Sequence, residues 1–63
     1  MQLKQIRERA ALSQGELAER AGVRRQTVVA IEKGHSEPHM RTVRALARAL
    51  GVQPVALMGD ADG

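Results

Sequence analysis

The 63 residues contain no cysteine and no aromatic side chain. Without cysteine no disulfide can staple the fold, and no thiolate can hold a metal. Without Phe, Tyr or Trp, the core must be built from Leu, Ile, Val, Ala and Met. No apolar run approaches the ~20 residues of a membrane span, and the N-terminus lacks the apolar segment of a signal peptide. Catalytic apparatus is missing as well. The hydroxyls of Ser13, Thr27, Ser36 and Thr42 have no histidine and carboxylate placed to activate them. The two histidines, His35 and His39, are four apart, but Pro38 lies between them and breaks the helix that a metal pair would need. No cofactor site, internal repeat, glycine-rich phosphate loop or second domain is visible.

What is present is a small basic chain of net charge +3. The charge favours an anionic partner without identifying it. A chain this short buries only about 60% of its unfolded surface, so association with a second copy is one route to added stability.

The chain is organised around Ser13 to Gly34, SQGELAERAGVRRQTVVAIEKG. Ser13 and Glu16 have the spacing of a capping box. Leu17, Ala18 and Ala21 then share one helical face. Gly22 suits the left-handed stop of a helix, and Val23 pins the turn to a core. A second helix starts near Arg25, with Val28 and Ile31 facing inward and Glu32 at the edge of that stripe. Gln26, Ala30 and Lys33 project outward, flanked by Arg25 and Val29. Ala18 and Gly22 are small where the two helices cross. Arg24 and Arg25 oppose the helix macrodipole by roughly 0.3–1 kcal/mol each, and a polyanion docked there reverses the sign of that argument.

The rest of the chain reads as three further helices. Residues 2–10 place Leu3, Ile6 and Ala10 on one face, with Arg7 beside them. Leu12 returns to the core. Residues 35–39 are a polar loop. Residues 40–50 turn Val43, Leu46, Ala47 and Leu50 inward with Met40 leading. Arg41, Arg44 and Arg48 line the other side. Arg44 and Arg48 read as a solvated face, whereas Arg41, next to the loop, has the better claim to a phosphate. Gly51 ends this helix. Residues 54–58 make a last short turn opened by Pro54.

Taken in order, Ser13-Gln14, Glu16-Leu17-Ala18, Ala21-Gly22-Val23, Gln26-Thr27-Val28, Ile31-Glu32, Gly34, Pro38 and Ala49-Leu50-Gly51-Val52 resemble the phage-repressor family of helix-turn-helix domains, of Cro/C1 or XRE type. The similarity spans roughly residues 2–58. It implies an all-α, compact, five-helix lambda-repressor-like fold over residues 1–58, with 59–63 as a short flexible acidic tail. It also implies a cytoplasmic, sequence-specific regulator of transcription, a repressor acting as a homodimer on palindromic double-stranded DNA.

The resemblance carries residue roles with it. The helix from Arg25 enters the major groove. Arg25 and Gln26 are the best base readers, since Arg matches guanine and Gln matches adenine. Val29 and Ala30 meet thymine methyls. Gln14, Arg24, Thr27, Lys33, His39 and Arg41 are candidates for phosphates, which set register. Arg7 is expected to pair with a mostly buried Glu32. Leu57 and Met58 align with a core-facing pair, and Val52, Pro54, Val55, Ala56 and Met58 with a dimer contact. Val55 and Ala56 stand where relatives are often acidic, so they either form that contact or close the core. Two departures from the family stand out. Ala11 stands where relatives often have a left-handed Gly, so it must either bear that strain or end the helix differently, and Arg24 replaces a capping Ser or Thr at a cost of roughly 1 kcal/mol. The same fold also serves as an antitoxin or co-regulator subunit that binds a protein partner, which is the competing reading.

Overall fold

The computed structural model describes residues 1–58. The expected acidic tail, 59–63, lies outside the described residues. Five helices follow one another: α1 (Leu3–Arg9), α2 (Gln14–Ala21), α3 (Arg25–Glu32), α4 (Met40–Leu50) and α5 (Pro54–Leu57). No strand occurs among the described residues. The radius of gyration is 10.2 Å, close to the roughly 10.6 Å of a well-packed chain of this length. The fold is therefore all-α and compact.

Local sequence explains most helix ends. Ser13 Oγ accepts from the Glu16 N–H at 3.0 Å, and Glu16 Oε1 accepts from the Ser13 N–H at 2.8 Å. That reciprocal pair fixes the start of α2 and holds the Glu16 carboxyl below its ordinary value, the Ser13 backbone N–H being the main cause. At the other end Gly22 has φ +73°. A Cβ there would meet nothing within 4 Å. Backbone conformation, rather than the close helix crossing expected from sequence, is therefore what demands a glycine.

The same left-handed stop recurs after α1, and there it is made by Ala11, with φ 59°. The N–H of Ala11 donates to the Glu8 carbonyl at 3.0 Å and that of Leu12 to the Arg7 carbonyl at 3.2 Å, the pair of bonds that defines a Schellman turn. Of the two alternatives open to Ala11, the chain takes the strained one. At α3, Arg24 occupies the cap position with no side-chain hydrogen bond, so the first amides of α3 are left for water or a ligand.

The core is a single aliphatic cluster: Leu3, Leu12, Leu17, Ala18, Val28, Ile31, Val43, Leu46, Ala47 and Leu57. Helix α2 is central, packed on both α3 and α4. Helix α5 packs on α4, and α1 leans on α3. The Gln2 N–H donates to the Leu57 carbonyl at 2.8 Å and ties the start of α1 to α5.

Three side chains expected inside are exposed. Ala10 falls just after α1, whose inward row is Leu3 and Arg7, four residues apart. Met40 opens α4 and is 46% exposed, and the buried row starts one turn later at Val43. Met58 is 38% exposed because α5 ends at Leu57, which alone fills the buried position.

Candidate nucleic-acid interface

The outer face of α3 is built from alternating requirements along one helix. Val28 and Ile31 are buried and lock the helix against α2. The positions on the opposite side of the helix therefore face out. Arg25, Gln26, Val29, Ala30 and Lys33 do so and, with His35, line an open groove of about 440 Å³. Arg25, Gln26 and Lys33 are exposed, while Val29 and Ala30 are half-buried along the floor. None of the three polar side chains has an internal hydrogen-bond or ion-pair partner among the described residues. Their donors are therefore free for a ligand.

His35 was not among the sequence-derived candidates. Gly34, at φ 76°, turns the chain back so that the His35 N–H donates to the Ala30 carbonyl at 2.9 Å. That turn puts the imidazole at the end of the groove. The signal was Gly34 itself, since a left-handed residue closing a helix keeps the next side chain against it.

A second concavity, of about 490 Å³, lies where the end of α1, the start of α2 and the start of α3 meet. Arg7, Ser13, Gln14, Gly15 and Arg25 line it. Arg25 thus borders both hollows. A third, of about 390 Å³, is lined by His39, Arg41, Thr42 and Arg44. The structure does not bring Arg24 or Thr27 into the first groove. Arg24 stands exposed at the start of α3, and Thr27 is half-buried.

One carboxylate organises this surface from below. Glu32 Oε2 accepts from Arg7 Nε at 2.6 Å, and Glu32 Oε1 accepts from Arg7 Nη2 at 3.0 Å. Gln14 Nε2 donates to the same Oε1 at 3.0 Å. The pair is nearly water-free, with Arg7 and Glu32 side chains 10% and 4% exposed. The hydrogen bonds to Glu32 raise the Arg7 pKa, against desolvation, which lowers it. Burial alone would push the Glu32 carboxyl up. The hydrogen bonds from Arg7 and Gln14, together with the positive charges of Arg7 and Lys4, outweigh it and leave that group below its ordinary value. The α1, α2 and α3 segments that border the second hollow therefore share one ionised hub. The Gln14 link was not visible in the sequence because nothing in spacing relates position 14 to position 32.

Ile6, Arg9, Ala10, Leu50, Val52 and Ala56 line a further, largely apolar hollow. Val55, beside it on α5, is 70% exposed. Pro54 is half-buried, and Met58 is exposed beyond the helix end.

The helices and the groove make this a helix-turn-helix domain, and comparison with known proteins agrees. A family model described as helix-turn-helix matches residues 3–57. An uncharacterised helix-turn-helix-type transcriptional regulator of Methanothermobacter thermautotrophicus is 47% identical over 49 residues, 78% of this chain and 71% of the relative. One from Methanocaldococcus jannaschii is 41% identical over 51 residues, 81% and 77% of the two chains. The immunity repressor protein of Bacillus phage phi105 is 38% identical over 58 residues, 92% of this chain. This chain spans only 40% of that repressor's length. No solved structure matches. The chain belongs to the helix-turn-helix family of Cro/C1 type, a family of DNA-binding transcriptional regulators. No helix among the described residues is long and apolar enough to cross a membrane.

Proposed function

We propose that two copies of this chain bind a palindromic operator in the cytoplasm and repress transcription, each copy laying α3 in the major groove. One observation carries this reading: the groove whose unpartnered Arg25, Gln26 and Lys33 stand over a floor of Val29 and Ala30 on a helix locked by Val28 and Ile31. Arg25 and Gln26 supply donors for guanine and adenine edges, and the apolar floor suits thymine methyls. Gln14, Arg24, Thr27, Lys33, His39 and Arg41 hold phosphates and set the register. Glu32, holding the Gln14 amide, positions it at the start of α2.

The second copy is supported by α5. Residues 49–59 carry no charge, and Val55 and Met58 offer exposed apolar surface next to Val52, Pro54 and Ala56. Two recognition helices about 34 Å apart read successive major grooves on one face of the duplex.

Selection of bound sequences from a random duplex pool tests the reading. The expected product is an inverted repeat with half-sites one helical turn apart. Recovery of no enriched sequence, together with a stoichiometric protein partner in a pull-down, would favour the co-regulator or antitoxin role instead.

A further inference from the structure

The three exposed arginines of α4 occupy one stripe, at positions 41, 44 and 48. The helix contains no acidic residue, and none of the three has an ion-pair partner among the described residues. Like charges at these spacings repel along the helix. Arg48 has an internal compensation, because it lies in the last turn, where the helix dipole favours a cation. Arg44, in the middle of the helix, has none. What distinguishes it is location. Arg44 lines the hollow of about 390 Å³ with His39, Arg41 and Thr42, and Arg48 does not. That hollow begins four residues along the chain from His35, the end of the recognition groove. Two arginines, a histidine and a threonine line one concavity, side chains whose donors suit a phosphate oxygen.

We propose that Arg44 contacts a backbone phosphate of the duplex in the hollow it shares with His39, Arg41 and Thr42, and that Arg48 does not. The assignment rests on the DNA-binding reading above. It changes the sequence-based view of Arg44 as a solvated side chain and keeps that view for Arg48.

The two residues make their own control, since Arg44→Ala and Arg48→Ala remove the same charge from the same exposed helix face. Alanine favours the helix, so both variants fold, and circular dichroism checks it. Affinity for the selected operator is then measured against salt concentration for the full chain and each variant. Loss of one phosphate contact per copy lowers the log–log slope by about 0.9, or about 2 for two copies. Arg44→Ala is expected to show that fall, with weaker binding to operator and random duplex alike. Arg48→Ala is expected to keep the wild-type slope. Equal slopes for wild type and Arg44→Ala, or equal falls in both variants, would overturn the placement of Arg44 while leaving the DNA reading intact. A wild type that binds no duplex would overturn both.

Discussion

Arg7 and Leu12 are joined twice. The Leu12 N–H donates to the Arg7 carbonyl at 3.2 Å, and Arg7 Nη1 donates to the Leu12 carbonyl at 2.8 Å. The side chain that reaches Glu32 therefore also staples the turn that ends α1. Ala11 sits inside this double link, and its left-handed backbone is held there by the surrounding bonds.

That strain can be relieved. A non-glycine residue in the left-handed region costs about 1–2 kcal/mol, offset partly by the larger unfolded-state freedom of glycine. Ala11→Gly is expected to stabilise the domain by about 1 kcal/mol, which raises the melting temperature of a domain this size by roughly 4–8 °C. Thermal unfolding followed by circular dichroism measures it. An unchanged or lower midpoint would show that Ala11 rests there without strain.

Glu32 makes stability depend on acid. Its folded pKa lies below the ordinary 4.5, so the folded state binds this proton more weakly than the unfolded state. The contribution is complete above the unfolded value, about 4.3, and is lost as pH falls through the folded pKa. Glu16 adds a shift of the same sign. Urea midpoints are therefore expected to stay level from about pH 6 down to pH 5 and to fall steeply below about pH 4. Glu32→Gln is expected to be less stable near neutral pH and to show a shallower acid limb. An acid limb as steep as the wild type's would assign the effect to other carboxyls.

The base-reading role proposed for Gln26 can be tested apart from general affinity. Gln26→Ala is expected to cost about 1–3 kcal/mol on the selected operator and to change affinity for random duplex little. Competition binding on both duplexes measures the split. Equal losses would make Gln26 a register contact.

Val55 tests the pairing of copies. Being 70% exposed, it can become Val55→Glu without disturbing the core. The variant is expected to self-associate less and to lose far more affinity for a duplex with two half-sites than for one with a single half-site. Sedimentation of both proteins, free and on the palindrome, decides it. A wild type that remains one copy per palindrome would remove the dimer from the mechanism.

Helix positions were largely legible because their signals are local. Ser13 with Glu16 starts α2, Gly22 ends it, and Val28 with Ile31 orients α3. Failures occurred where a third dimension decides. Arg7 takes an inward position because Glu32 waits on another helix, and that leaves Ala10 outside. Met40 has the correct spacing for the inward face of α4 but precedes its buried row. The members of the α3 groove followed from helical periodicity. His35 and the Gln14–Glu32 hydrogen bond depend on a turn geometry and on a contact between helix ends, and no periodicity encodes them.

During synthesis Gln2 is made early and waits longest for its partner. Its N–H is satisfied by Leu57, which at about 5–20 residues per second follows roughly 3–11 s later. Leu3 and Leu57 belong to the same buried cluster, so that part of the cluster is incomplete over the interval. The helix-turn-helix is thus synthesised before the segment that completes the buried cluster around Leu3.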